Sequence, residues 1–393
     1  MSLEKDSRLY WIDNLRSFIT VLVVAHHSSL AYTTFASFNK KAYASSTHPI
    51  VDPARWIGMD LFEDFNDIFF MSLMFLISGV FVISSLNKKG ISIFISERFK
   101  RLFIPFLAGV ILLMPIAYSS SYLLAHGQFS LGPFLIDFFK TQAWPVGPPW
   151  FIWVLFLFNL LVAMTYPYLK KPLQKTGVFF VSLNNKPFKL LLIWYLITWM
   201  AYIPILMATS PGQWTGIGPF DFQLSRILLY VSYFLLGSIL GAVPLNSGLF
   251  SSQSLFVKKW YVWVLACGLA YSLLKLSEVP LTNWYETKQI ALLPATLIYR
   301  SLWVLSCTLS CIAFLTLFKK AFNLVSPLSK SLSANAYGIY LVHFIFVLWI
   351  QFFLLQTGLP AGQKFFITFI LSLLLSYGLV LVLRKNNRID RFL

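Results

Sequence analysis

An arginine and two histidines interrupt a strongly apolar segment near the start of the chain. Residues 16–30 read RSFITVLVVAHHSSL, with Arg16 at the front and His26 and His27 in the middle. On a helix, eleven residues bring Arg16 and His27 within about 20° of one face and set them about 16 Å apart. Neutral imidazole can take a proton from a hydroxyl group, as acyl transfer to an alcohol requires. We predict that His27 is a general base in a cavity open to the cytoplasm.

A packing role is the alternative for His27, whose ring would then only form a hydrogen bond between helices. Ionisable groups are costly inside a membrane, and Arg16 on the same face is a second such cost, which favours a functional role. His26 points about 100° away and is predicted to face a neighbouring helix. Asp13, three residues before Arg16, is predicted to pair with it at the membrane interface.

A second cluster of cations lies in SERFKRLFIP, residues 96–105. Arg98 and Arg101 are three residues apart and share a helical face, with Lys100 between them. Guanidinium groups bind phosphates through two parallel hydrogen bonds, so the cluster could hold the phosphates of a donor that arrives from the cytosol. The alternative is a positively charged anchor on the cytoplasmic side of the membrane.

Two further segments place polar or small residues among apolar ones. FFMSLMFLISGVF contains Ser78 and Gly79, which would permit close approach by another helix or by a thin ligand. SANAYGIYLVHFIF contains His343, about 12 Å into its predicted span and close to the depth of His27. Two histidines at similar depth suggest one polar pocket.

The composition is that of a membrane protein. Of 393 residues, 58% are hydrophobic and 11% are charged, whereas a soluble protein has about 25% charged residues. The length suits one integral membrane domain over residues 1–393. Three cysteines lie in apolar segments, where packing is their expected role, and their spacing indicates neither a disulfide framework nor a metal site. Residues 1–14 are polar, and no cleavable signal peptide is expected.

Runs of about 20 apolar residues predict an all-α polytopic protein with about ten transmembrane helices. The predicted spans are approximately 15–37, 68–86, 102–124, 150–168, 190–208, 224–243, 260–276, 294–318, 335–354 and 365–383.

The lysines and arginines predict that both termini are cytoplasmic. With alternating spans, 22 of the 31 lie on one side of the membrane, which is the usual excess of positive charge on the cytoplasmic side. That set includes Lys5 and Arg8 as well as the two clusters above. The net charge of +17 is therefore attributed to topology and to anionic lipid, with no nucleic-acid partner.

Tryptophans lie beside acids, amides and glycines in the connections predicted to face outward. The motif AWPVGPPW ends at Trp150, and residues 209–223 read SPGQWTGIGPFDFQL. An indole face can stack on a sugar ring, so Trp150 is a candidate supporting residue. The alternative is the aromatic belt that forms at membrane interfaces.

Together these stretches resemble the acyltransferase-3 family of integral membrane acyltransferases. The matching pieces are DNLRSFITVLVVAHH, FFMSLMFLISG with ERFKRLFIPF, YFLLGSILG and YGIYLVH. The resemblance implies transfer of an acyl group from cytoplasmic acyl-CoA, as a substrate and not a tightly bound cofactor, to a glycan or lipid-linked sugar hydroxyl at the outer face. It implies that His27 is the base, that Arg16 supports the site, and that Arg98 and Arg101 hold the coenzyme A phosphates.

The remaining candidate residues are assigned either to the site that binds the acyl donor or to the support of the His27 site. Lys100 and Ser78 join the donor site, while Asp13, His26, His343 and Trp150 support the His27 site. The stretch WPVGPPWFIWVLFLFNLL looks most like the branch of periplasmic glucan succinyltransferases, although it lacks the glutamate that many O-antigen acetylating members carry there. Acetyl and succinyl donors both remain open, and a bacterial cytoplasmic membrane is expected.

A proton-coupled transporter of a small anionic or sugar-like solute is the main rival. Ten spans with an intramembrane histidine and arginine would suit such a carrier. However, the two halves of the sequence show no matching pair of Gly- or Pro-interrupted helices, which inverted repeats often have.

Overall fold

The computed structural model describes residues 9–246, 248–324 and 326–392, so Lys5 and Arg8 lie outside the described residues. The helices are α1 (Tyr10–Ser29), α2 (Ile57–Val80), α3 (Val82–Lys89), α4 (Ile91–Arg98), α5 (Ile104–Ala108), α6 (Met114–His126), α7 (Leu131–Ile136), α8 (Trp150–Ser182), α9 (Pro187–Ala208), α10 (Ile227–Gly241), α11 (Leu255–Lys258), α12 (Trp260–Glu286), α13 (Leu292–Ala321), α14 (Pro327–Leu354), α15 (Ala361–Leu383) and α16 (Asn387–Asp390). The strands β1 (Trp214–Thr215) and β2 (Phe222–Gln223) pair antiparallel.

Nine helical segments of the described chain are long and apolar enough to cross a membrane. They are Ile57–Lys89, Ile91–His126, Trp150–Ser182, Pro187–Ala208, Leu224–Gly241, Trp260–Glu286, Leu292–Ala321, Pro327–Leu354 and Ala361–Leu383. The second to tenth predicted spans fall on these nine segments. The chain is therefore an all-α polytopic membrane protein.

The first predicted span, 15–37, differs from the structure at its carboxyl end. α1 ends at Ser29 and is followed by a single 3₁₀ turn over Leu30–Tyr32. The polar run from His26 to Ser29 ends the apolar stretch, and α1 is not among the nine segments. His27 consequently lies in the last turn of its helix and not in the middle of it.

The connection predicted over residues 38–67 is also shorter than expected. α2 begins at Ile57, so Asp60, Glu63 and Asp67 lie on a helix and not in a loop. The hydropathy pattern missed this start because these acidic residues interrupt the apolar run.

Both described termini lie at the same end of the bundle, which we call the N-terminal end. Asn14, near the start of α1, donates hydrogen bonds to the carbonyl oxygens of Phe322 and Leu324, just beyond α13. Arg384, at the end of α15, donates to the carbonyl oxygen of Ala334 near the start of α14. The opposite end, which holds the connection over residues 30–56, is called the far end.

Glycines bring α2 and α10 into backbone contact. A Cβ atom at Gly79 would lie 2.1 Å from the carbonyl oxygen of Phe234, and one at Gly237 would lie 2.0 Å from that of Leu76. Small residues allow this approach between membrane helices. The close approach predicted at Gly79 is thus made by another helix.

The far-end connection folds into the bundle. Lys364 Nζ lies 2.7 Å from Asp52 Oδ2, and both side chains are only 1% exposed. Tyr32 forms a 3.2 Å hydrogen bond with Thr368 of α15. Residues 30–56 therefore occupy the space beyond the end of α1, on the side that faces α14 and α15.

Candidate functional site

His27 and His343 meet between α1 and α14. His343 Nε2 lies 3.0 Å from His27 Nδ1. His343 is fully buried near the middle of α14, whereas His27 is half-buried. Phe344 packs edge-on against the His27 ring, with centroids 5.3 Å apart. The two histidines predicted to lie at similar depths are therefore in contact, near the middle of α14.

Main-chain carbonyl groups determine which ring nitrogens carry protons. His343 Nδ1 lies 2.7 Å from the carbonyl oxygen of Tyr340, which only accepts, so Nδ1 of His343 carries the proton. Neutral His343 then presents Nε2 as an acceptor to His27. His27 Nδ1 also lies 3.0 Å from the carbonyl oxygen of Val23, so it must be the donor to both. The second ring nitrogen, Nε2 of His27, is left with a free lone pair.

Arg16 lies on the same face of α1 as His27, as its spacing predicts. Its guanidinium donates to Asp13 Oδ1 at 3.1 Å and to Ser333 Oγ at 3.3 Å. Ser333 stands ten residues before His343 on α14, so α1 and α14 run in parallel and share both contacts. The predicted pairing with Asp13 is also present, and the arginine side chain remains 41% exposed.

One side of α14 carries most of the polar contacts of the site. Five of its residues fall within about 120° of the helix circumference. With their partners they are Ser333 with Arg16, Tyr337 with the Arg101 carbonyl, Tyr340 with the Pro148 carbonyl, His343 with His27, and Gln351 with the carbonyls of His27 and Ser28 and with His48. This row runs from the N-terminal end to the far end.

Sequence reasoning missed four members of this network: Tyr337, Tyr340, Gln351 and His48. The signal was available for three of them, because Ser333, Tyr337, Tyr340 and Gln351 repeat at helical spacing within an otherwise apolar run. His48 carries no such signal, since it lies in an irregular connection that folds back onto α14.

His26 faces a different neighbour from His27, as predicted. Its ring packs against Phe70 of α2 with centroids 4.8 Å apart, and its Nδ1 has no hydrogen-bond partner among the described residues. It is near the ion pair in which Arg226 donates to both carboxylate oxygens of Asp67, at 2.9 and 2.6 Å. His26 therefore belongs to the packing between α1 and α2, on the side away from His343.

The cationic cluster lies at the N-terminal end, but its two arginines are less alike than their spacing suggests. A π-helical turn over Phe99–Phe103 replaces the α-helix directly after Arg98, so the regular spacing of an α-helix does not apply to Arg101. Arg98 is half-buried over the Phe94 ring, and its buried Nε has no hydrogen-bond partner in the described parts of the chain, whereas Arg101 is exposed. Glu97 pairs with Lys89 at 2.7 Å, and no described carboxylate forms an ion pair with either guanidinium group.

The other two donor-site candidates are weaker. Lys100 is exposed, and Ser78 is half-buried on α2 without a hydrogen bond among the described residues. Neither lies against the His27–His343 pair in any described contact.

Trp150 begins α8 and lies within a cluster of aromatic rings. It packs edge-on against Trp214 of the β1–β2 hairpin, with centroids 5.5 Å apart, and against Tyr230 at 5.7 Å. Trp214 is the more open of the two tryptophans, at 47% exposed. The preceding Pro148 contacts Tyr340, one turn from His343, so this aromatic cluster adjoins the histidine site.

No group of three or more metal-ligating side chains occurs in the described parts of the chain. The class of protein is a multi-helix membrane bundle with a hydrogen-bonded histidine pair between α1 and α14 and a cationic cluster at the N-terminal end.

Comparison with known proteins identifies the family. Residues 9–385 match the Acyl_transf_3 acyltransferase domain, and the chain belongs to this family. It is similar to the glucans biosynthesis protein C of Escherichia coli strain SMS-3-5, with 26% identity, and to that of Escherichia coli O157:H7, with 25% identity. Each alignment covers 63% of this chain but only 62% of the relative's length. No solved structure matches the chain.

Proposed function

We propose that the protein is a membrane O-acyltransferase that uses His27 as its general base. The supporting observation is the hydrogen-bonded pair in which His343 and the Val23 carbonyl fix the proton on His27 Nδ1. A base must present a free lone pair to the hydroxyl that it activates, and Nε2 of His27 is that atom.

The proposed step transfers an acyl group from a thioester to a hydroxyl. Nε2 of His27 takes the hydroxyl proton while the oxygen attacks the thioester carbonyl, and the carbon–sulfur bond then breaks. The thiolate leaves with the proton that His27 returns. While His27 is protonated, its Nδ1–H donates to the neutral His343, which stabilises the imidazolium without a second charge.

We place acyl-CoA at the N-terminal end, in the cytosol. Arg98 and Arg101 offer guanidinium groups that no described carboxylate pairs with, and Tyr337 ties the Arg101 backbone to α14, one turn from the residue that contacts Arg16. The acceptor is placed at the far end, on the other side of the histidine pair from the cationic cluster. The relatives' name supports a glucan as acceptor. The acyl group is proposed to be acetyl or succinyl, and the location a bacterial cytoplasmic membrane.

Purified protein with His27→Ala tests the proposal directly. Removing a general base costs about 10²–10⁴-fold in rate, so acyl transfer from acyl-CoA to a glucan should fall by at least the lower figure. His343→Ala should lower kcat less, since His27 Nδ1 keeps its bond to the Val23 carbonyl.

The matched control is His126→Ala. His126 is an exposed far-end histidine that stacks on Tyr122, with centroids 4.1 Å apart and no contact with the pair. Its replacement should leave transfer unchanged. Normal transfer by the His27→Ala protein would refute the assignment, and proton-coupled solute uptake without any transfer would favour a carrier.

A further inference from the structure

The position of His27 depends on an unusual helix end. His27 lies two residues before the end of α1 at Ser29. The last four carbonyl groups of a helix lack partners within the helix and need donors from elsewhere. Both His27 and Ser28 contribute such carbonyls, and each is satisfied by the side chain of a residue more than 300 positions away.

Gln351 supplies both hydrogen bonds. Its Nε2 lies 3.2 Å from the His27 carbonyl oxygen and 3.2 Å from that of Ser28. Carbonyl oxygens only accept, so the nitrogen of the amide must face α1. The side chain is 1% exposed and projects from α14 two turns beyond His343. α14 thus holds α1 at the His27 ring and again at the His27 main chain.

His48 holds Gln351 in turn. Its Nε2 lies 2.9 Å from Gln351 Oε1, and because that oxygen is an acceptor, Nε2 of His48 is the donor. Burial lowers the pKa of His48 to about 4, so the ring is neutral near pH 7. His48 is 2% exposed, although it comes from the far-end connection. A buried polar group is costly without its partner, so the three residues form a connected unit.

We propose that Gln351 and His48 are positioning residues for His27. They act through the end of α1: Gln351 fixes the last turn against α14, His48 fixes the orientation of the amide, and His27 Nε2 is thereby aimed at the acceptor hydroxyl. This inference rests on the proposed function. It also couples the far-end connection, where the acceptor would arrive, to the placement of the base.

Kinetics of three variants in the full-length protein test the inference. Gln351→Met keeps the length of the side chain but removes both donors, and His48→Phe removes the donor to Gln351. A displacement of about 1 Å can cost 10²-fold in rate, so kcat should fall by about 10- to 100-fold in both variants. KM for acyl-CoA should stay at the wild-type value, because the cationic cluster proposed to bind it lies at the N-terminal end. His48→Gln, which restores an N–H donor near the lost Nε2, should recover most of the kcat.

The controls are Gln356→Met and His126→Phe, two exposed far-end positions that should keep wild-type kcat. Thermal unfolding and coenzyme A affinity report whether each variant is folded. Wild-type kcat in folded Gln351→Met would overturn the inference, and so would equal loss in His48→Phe and His48→Gln. If Gln351→Met does not fold, the difference in kcat between His48→Phe and His48→Gln tests the inference instead. Activity of His27→Ala would instead refute the proposed function, so the two failures are distinguishable.

Discussion

At the scale of single residues, carbonyl oxygens determine the chemistry of the histidine pair. The Tyr340 carbonyl assigns the proton of His343, and the Val23 carbonyl with His343 assigns that of His27. The sequence could indicate that both histidines lie at one depth, because helical rise is regular. It could not indicate the direction of their hydrogen bonds, which depends on how α1 and α14 are aligned.

The two arginines of the cationic cluster give a residue-scale prediction. Arg98→Ala and Arg101→Ala should each weaken binding of coenzyme A by about 1.5–3 kcal/mol for each charged hydrogen bond lost. Isothermal titration of the purified variants measures the change. Lys175→Ala, an exposed lysine on α8, is the matched control and should bind normally. Unchanged affinity in both arginine variants would remove them from the donor site.

At the scale of elements, the sequence predicted the long apolar helices well and their polar ends poorly. The predicted spans 190–208 and 365–383 lie entirely within α9 and α15, because an uninterrupted apolar run of this length can cross the membrane only as a helix. The end of α1 and the start of α2 were misplaced, because both are stabilised by contacts with distant segments. Thr34, for example, donates its backbone N–H to Asp60 of α2 at 2.7 Å.

The contact between α2 and α10 gives the element-scale prediction. Gly237→Ala would put a Cβ atom 2.0 Å from the Leu76 carbonyl oxygen, so the helices must move apart. Overpacking of this kind costs about 1–3 kcal/mol, which should lower the unfolding temperature in detergent.

Gly268→Ala on α12 is the control for that experiment. No atom of the described residues lies within 4 Å of the added methyl group, and alanine favours a helix over glycine by about 1 kcal/mol. This variant should be as stable as the wild type or slightly more so. Equal unfolding temperatures for the two variants would show that the glycine contact does not matter for stability.

At the scale of the whole molecule, the site connects the two ends of the bundle. Arg16 and the Arg101 backbone contact α14 near its start, the histidines lie at its middle, and Gln351 lies towards its other end. A donor and an acceptor that enter from opposite ends could therefore meet at His27. The charge pattern of the sequence predicts which end faces the cytosol.

Single-cysteine variants test this orientation. The three native cysteines are buried, whereas Ser45 at the far end and Lys385 at the N-terminal end are exposed. A membrane-impermeant maleimide should label Ser45→Cys in intact cells and Lys385→Cys only after permeabilisation. The reverse pattern would place the cationic cluster outside and contradict a cytosolic donor.

The early end of α1 has an electrostatic consequence. Peptide dipoles sum along a helix to about half a negative charge at its carboxyl end, and His27 lies in the last turn. This field favours a cation there, and it acts most strongly in a setting with little water. In a longer α1, the carboxyl end of the helix would lie farther from His27, and its dipole would act less on the ring. By ending at Ser29, α1 places His27 where the helix dipole would stabilise the imidazolium of the proposed transfer.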